Sequence, residues 1–316
     1  MPISAERQTA SAVLMIRPAH FGSNAETLGS NYFQNAAPAD ADVAAKAQRE
    51  FGALAARLGA AGVRVHSFQG QPGAPVPDEV FPNNWLSLHA DGTAVLYPMM
   101  AESRRRERRP ELLDALRRQH GYRVERIVDL TPLERQGKYL EGTGSLVLDR
   151  AQRIAYACVS PRTHPEALGE FGLELDYEIV AFEATDRDGR TIYHTNVLMS
   201  VGTRFVAICA NAIRDAAERK ELLDRLEASG REVIDLSFDQ LHAFAGNLLA
   251  LSASNREVIA LSTAALASLD ETQTDALGRY GELVAADIGT IEKHGGGSVR
   301  CMLAEVHLPQ GAERDR

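Results

Sequence analysis

Three side chains with the chemistry of a covalent hydrolase stand far apart in this sequence. They are Glu141 in YLEGTGS, His194 in YHTNVLMS and Cys301 behind the glycine-rich HGGGSVR. A thiolate attacks electrophilic carbon, an imidazole can take and return the proton, and a carboxylate can orient the imidazole or grip a substrate N–H. The other cysteines, Cys158 in IAYACVS and Cys209 in FVAICAN, lie inside apolar runs, where cysteine acts as a small hydrophobe. Cys301 instead heads its run, and the glycines before it permit close approach of backbone or substrate. Arg300, next in the chain, is a neighbour that would favour the thiolate. The glycine loop lacks the Gly-Lys-Ser/Thr ending of a phosphate cradle. Among nine histidines, His20, His89, His120, His164 and His242 read as loop or surface residues, and His294 is a second, weaker candidate for chemistry. Two asparagines, Asn84 in FPNNWLSL and Asn196 just after His194, stand where a catalytic site often carries charge.

A repeat supplies the means of bringing these residues together. The segments NWLSLHADGTAVLYP, GSLVLDRAQRIAYAC, NVLMSVGTRFVAICA, NLLALSASNREVIAL and CMLAEVHLP begin at Asn84, Gly144, Asn196, Asn247 and Cys301. The steps between them are 60, 52, 51 and 54 residues, and each segment has leucine two places on. The first four read as strand, polar turn, strand. Helical stretches follow at 103–119, 164–171, 214–229 and 263–280, and then a third apolar run, making a ββαβ unit. The fifth unit has only its first strand before the chain ends. SAVLMIRP, a helix over 39–60 and VRVHSF supply the rest from the other terminus. The expectation is an α/β fold: one domain over residues 1–316, a five-bladed, pseudo-fivefold α/β propeller whose fifth unit is closed by both termini. Equivalent positions then converge at one end of the axis, gathering a carboxylate, an imidazole, a thiol and amides into one pocket.

Composition narrows the function. Apolar residues make up 45% of the chain, enough for a sizeable core, and the net charge of −9 argues against a general nucleic-acid partner. The basic run RRRERRPELLDALRR also carries acids and reads as a solvated helix face, although a carboxylate-binding arginine can hide in MMAESRRR. No apolar stretch suggests a membrane span, and the N-terminal residues lack the layout of a signal peptide. Three cysteines give no disulfide framework, so the cytoplasm is the expected location. The expected partner is a small amino-acid substrate. A homo-oligomer is compatible with the sequence, which does not specify one.

LEGTGSLVL, YHTNVLM and GGGSVRCMLAE, together with the fivefold repeat, resemble the guanidine-modifying, or pentein, superfamily. More narrowly the chain resembles its citrulline-utilisation hydrolases. The resemblance implies that Cys301 attacks the central carbon of the substrate, His194 shuttles protons and Glu141 grips substrate nitrogens, with no metal or organic cofactor. Most deiminases of the superfamily carry Asp where this chain has Asn84 and Asn196. A guanidinium offers only donors and a positive charge, which carboxylates answer. A ureido group is neutral and has a carbonyl oxygen, which an amide can serve as donor. The two asparagines therefore point to citrulline, hydrolysed to ornithine, ammonia and carbon dioxide. Guanidine hydrolysis of the arginine deiminase, dimethylargininase or succinylarginine dihydrolase kind, and amidino transfer, are the alternatives. A non-catalytic ribosome-binding factor of the same superfamily is the reading from another class. Arg17 and Asn24 are candidates for the pocket mouth, and Asn247 is expected at an axial position bonding blade backbones.

Overall fold

A computed structural model of the chain describes residues 6–36, 41–73, 76–254 and 256–311. Five three-stranded sheets organise them. Four sheets use strands consecutive in the chain. These are Leu86–Leu88, Thr93–Leu96 and Arg126–Asp129; Val147–Asp149, Ile154–Cys158 and Glu178–Phe182; Met199–Val201, Phe205–Ile208 and Glu232–Asp235; and Leu249–Ala253, Arg256–Ser262 and Glu282–Ala286. In each, the first pair is antiparallel and the second parallel. That pattern dictates the connections, because a tight turn can join antiparallel neighbours whereas parallel ones need a crossover. Helices Glu111–His120, Pro165–Leu175 and Ala216–Ala228, and the pair Thr263–Ser268 and Glu271–Gly278, lie in those crossovers.

The fifth sheet is stitched from both ends of the chain. Ala12–Arg17 is its central strand, antiparallel to Ala304–Glu305 and parallel to Arg64–Gln69. Helix Ala41–Ala60 makes the crossover and buries Ala47, Phe51, Leu54 and Leu58 along one face. Residues 39 and 40 of the helix expected from the sequence, and Asn255 of the expected turn SASN, lie outside the described residues. Two expected helices are broken. The stretch 103–119 is interrupted before Pro110, whose ring disfavours helical backbone at the residue preceding it. The stretch 263–280 restarts at Asp270, which forms a capping box with Gln273.

Five short turns precede the first strands and meet around the axis. Four are Pro82–Asn84, Gly142–Ser145, Thr195–Leu198 and Val299–Met302; residues 243–246, just before Asn247, form the fifth. Hydrogen bonds link them in sequence: Thr143 Oγ1 to Asn83 O at 3.3 Å, Thr195 Oγ1 to Ser145 O at 2.6 Å and Asn247 Nδ2 to Asn196 O at 2.9 Å. The backbone N–H of Arg300 then donates to Asn247 Oδ1 at 3.0 Å, and Val299–Met302 packs on Pro82–Asn84 to close the ring. The strands leave this end of the axis, so the turns hold their side chains in a shared space.

Candidate active site

Glu141 precedes the turn Gly142–Ser145 and is fully buried. Glycine is required twice in that turn. Gly142 has φ +49°, and a Cβ there would lie 2.2 Å from Asn83 O. A Cβ on Gly144 would lie 2.4 Å from Asn84 Nδ2 and 2.7 Å from His194 Nδ1. The space a side chain would fill is therefore taken by the amide and the imidazole. Glu141 Oε1 accepts from the N–H of Met100 at 3.1 Å. Its Oε2 accepts from His194 Nε2 at 2.9 Å, with Arg162 Nη1 at 3.4 Å and Arg104 Nη1 at 3.5 Å.

These partners set the charges. Burial opposes ionisation of Glu141, but Arg162, the His194 hydrogen bond and Arg104 outweigh it and hold the carboxyl well below its usual range. Burial pushes His194 down to about 4, against the upward pull of Glu141. An ionised carboxylate only accepts, so the imidazole carries its proton on Nε2 and its basic lone pair on Nδ1.

Arg104 also fixes Asn84. Its Nη2 donates to Asn84 Oδ1 at 3.0 Å, and a guanidinium has no acceptor, so the amide cannot be turned over. Asn84 Nδ2 is left buried without a hydrogen-bond partner. Asn196 is complementary: Nδ2 donates to Cys301 Sγ at 3.4 Å, while Oδ1 is buried and unpartnered. Asn247 Nδ2 also reaches Cys301 Sγ, at 3.4 Å.

A cavity of about 10 Å³ lies among Cys301, His194, Asn84, Arg104, Arg162 and Asp78, room for roughly one water. Thr27, Asn31 and the glycines Gly295, Gly296 and Gly297 also line it.

The structure thus gathers Glu141, His194, Cys301, Asn84 and Asn196 into one site, as the repeat implied. Other residues singled out from the sequence stand further from it. Arg17 ends its strand and is not among the residues lining the cavity. Asn24 is also outside the lining; it supports Asp78, donating to Oδ2 at 2.8 Å, and contacts Ser103. Arg300 turns its guanidinium to Leu303 O and Glu305, each at 2.9 Å, so it has no hydrogen bond to the thiol beside it. His294 is not among the lining residues. His89 is buried against Ser87 and Arg150 instead of lying on the surface. Asn247 bonds backbones as expected and also touches the sulfur.

Three charged lining residues were not singled out individually from the sequence, although MMAESRRR was noted as a place where a binding arginine can hide. Arg104 lies in the basic run read as a solvated face, yet it is buried and bidentate to Glu107 at 2.9 and 3.0 Å. A salt-linked core was not separable there from surface charge by pattern. Arg162 stacks over Tyr193, 4.9 Å from the ring centre, and its Nε has no partner. Asp78 has an unpartnered Oδ1, and its one signal was proximity to Asn84. Among the described residues, no group of three or more His, Cys, Asp or Glu side chains is arranged to hold a metal ion. Nor is any described helix long and apolar enough to cross a membrane.

Comparison with known proteins shows the family. The family described as N,N dimethylarginine dimethylhydrolase, eukaryotic, matches residues 17–308. The chain belongs to that family, within the pentein superfamily of guanidino-group hydrolases. No curated protein sequence matches. Similar solved structures include ArgZ, an arginine dihydrolase from the ornithine-ammonia cycle in cyanobacteria, with TM-score 0.71 and 18% identity over 96% of this chain. The match spans 41% of that longer protein. The N-terminal domain of ArgZ, solved as a Cys-to-Ser mutant bound to substrate, aligns with TM-score 0.68 and 17% identity, covering 93% of this chain and 97% of that one. The dimethylarginine dimethylhydrolase (DDAH) of Pseudomonas aeruginosa, solved as a Cys-to-Ser mutant complexed with citrulline, aligns with TM-score 0.64 and 14% identity over 94% of this chain and 99% of that one.

Proposed function

We propose that this protein hydrolyses the ureido group of citrulline to ornithine, ammonia and carbon dioxide through a covalent intermediate on Cys301. The observation that carries this reading is the locked amide of Asn84. Its carbonyl is bonded to Arg104, so the group it leaves unpaired in the site is an N–H donor. Asn196 offers the opposite, an unpartnered oxygen. A ureido group has a carbonyl for the first and N–H for the second. A guanidinium presents only donors and would set one of them against the N–H of Asn84.

In this mechanism the thiol proton passes to Nδ1 of His194 as Sγ attacks the ureido carbon, and Glu141 stabilises the imidazolium at 2.9 Å. Asn84 donates to the oxygen as it gains negative charge. The imidazolium protonates the leaving nitrogen, and a thiocarbamate remains on Cys301. His194 then takes a proton from water, the hydroxide attacks the thiocarbamate carbon, and the thiol departs with a proton. Carbamic acid, whether free or attached to the ornithine nitrogen, breaks down to carbon dioxide and the amine.

One observation favours a second reading. Asp78 has a buried, unpartnered oxygen, and a cation would satisfy it. If that cation is the guanidinium, arginine is the substrate, in keeping with the named activity of ArgZ. If it is the α-ammonium group, citrulline fits equally well.

The test is ammonia release with citrulline and arginine side by side, with the amino-acid products identified. Ornithine from citrulline, with arginine inert, is expected. Citrulline accumulating from arginine would overturn the ureido preference; ornithine from both would assign the second reading. Turnover retained by Cys301→Ala would sink the covalent scheme.

A further inference from the structure

Cys158 and Cys301 are both buried, but their sulfurs meet different partners; Cys158 has two carbonyls alongside a backbone hydrogen bond from Ala184. Sγ of Cys158 lies 3.4 Å from Ile192 O and 3.8 Å from Val159 O. Carbonyl oxygens accept, so they hold a thiol proton in place. Burial pushes that thiol up to about 12. Sγ of Cys301 instead faces two N–H groups, from Asn196 Nδ2 and Asn247 Nδ2, each at 3.4 Å. The acceptor near it, Asn247 Oδ1, is farther away at 3.8 Å and already receives the N–H of Arg300 at 3.0 Å. Donors satisfy the lone pairs of a sulfur that has lost its proton.

Asn247 cannot turn over to reverse this. Its Nδ2 also donates to Asn196 O at 2.9 Å. A flipped amide would set its oxygen against that carbonyl and its N–H groups against the N–H of Arg300. No cation hydrogen-bonds the sulfur: Arg300 directs its N–H groups to Glu305 and Leu303, acting on the thiol through charge alone, and His194 is neutral.

We propose that Asn196 and Asn247 form a two-amide hole that holds the sulfur of Cys301 as it gives up its proton. Neutral donors here do what a neighbouring cation does for many reactive cysteines. The arrangement also gives Asn196 two tasks: its nitrogen holds the sulfur, and its oxygen is free for a substrate N–H. Asn247 has no role beyond the sulfur and the backbone ring. The inference rests on the reading of Cys301 as nucleophile, but its test needs no substrate.

The test follows iodoacetamide alkylation of Cys301 by mass spectrometry across pH, in the wild type, Asn247→Ala and Asn247→Asp. The Asp variant keeps the oxygen that receives the N–H of Arg300 but removes the donor and adds a repelling charge. At pH 7 alkylation is expected to slow about tenfold in Asn247→Ala and further in Asn247→Asp. At high pH the Ala and wild-type rates should converge, showing that thiolate population changed and access did not. Asn196→Ala is expected to behave like Asn247→Ala. Unchanged rates at pH 7 in all three variants would overturn the two-amide hole. Labelling of Cys158 and Cys209 reports a loosened fold, in which case Asn247→Asp against Asn247→Ala, matched for that labelling, decides: equal rates overturn the proposal. Loss of the alkylation effect leaves the citrulline assay untouched, and a failed citrulline assay leaves the alkylation result standing.

Discussion

Where the first strands end, away from Cys301, a second polar cluster is buried. Arg150 reaches Glu6 at 2.8 Å and Glu305 at 3.6 Å, while Glu305 also receives Arg300 at 2.9 Å and His307 at 3.2 Å. At the Cys301 end, Glu141 gathers His194, Arg104 and Arg162 in a similar way. Both clusters bury charge that must be paired to be tolerated. They differ in what is left over. The Glu6–Arg150–Glu305 cluster has one unpartnered atom in its charged groups, Arg150 Nη2. The Cys301 end has Asn84 Nδ2, Asn196 Oδ1, Asp78 Oδ1 and Arg162 Nε, with both donors and acceptors unsatisfied. Buried charge alone therefore does not mark a site in this fold. Unspent hydrogen-bonding capacity around a nucleophile does.

The largest effect should come from exchanging one residue at each end. His194→Asn removes the proton carrier and should lower kcat by about 10²–10⁴ with the fold retained. Arg150→Met leaves Glu6 and Glu305 facing each other without their shared cation and should cost about 3–5 kcal/mol of stability. Urea melts and steady-state turnover on both variants make the check. A folded Arg150→Met protein with the catalytic defect of His194→Asn would break the division between the ends. Next in size is Asn84→Asp. It replaces the unpartnered N–H with a second acceptor, and Arg104 remains as its partner. Citrulline turnover should fall by at least the value of one hydrogen bond, about 1 kcal/mol or fivefold, while arginine turnover falls less or rises. Equal losses on both substrates would show that the amide does not read the carbonyl.

The comparison also explains what the sequence revealed. Glu141, His194 and Cys301 stand at or just before the same point of a repeated strand pattern, so topology alone brought them together. The glycines of LEGTGS took no part in that expectation; the structure shows that Gly142 and Gly144 leave room for Asn83, Asn84 and His194. Arg104, in the short helix Glu102–Arg105, and Arg162 sit between the second strand and the crossover helix of their units, and Asp78 sits on the connection between two units. There no period locates them, and an arginine in RRRERR looks the same whether it faces water or Glu107. Arg17 ends its strand without lining the cavity, while Asn24 stands one step back from it, supporting the lining residue Asp78 in a loop whose Thr27 and Asn31 do line it. The supporting residues at the other end were hidden for another reason. His89 and Arg150 follow strands whose length decides whether they reach solvent or the axis, and burial of that kind is set by the closed ring.

A third effect is a dependence of stability on pH shared by both ends. His194 is pushed down to about 4, and burial also lowers His89 and His307. As pH falls below the ordinary histidine value near 6.5, the unfolded chain binds protons that the folded chain refuses. Stability must therefore fall between pH 6.5 and 4, by roughly 3 kcal/mol for His194 across that window. Glu141 and Glu305 act at lower pH. Burial opposes their charge, but their arginine and histidine partners hold both below the usual carboxylate range, so their contribution is present above pH 4.5 and is lost as pH drops through their folded values. Urea melts at pH 7, 5.5 and 4.5 should show a decline that begins in the histidine window. His194→Asn should flatten that decline by its own share and leave the part due to His89 and His307. An unaltered slope in His194→Asn would mean that the imidazole takes up a proton in the folded site at the ordinary pH, with Glu141 overcoming burial. The resting site would then hold a cation beside Asn84, and the neutral starting state of the proposed proton transfer would be wrong.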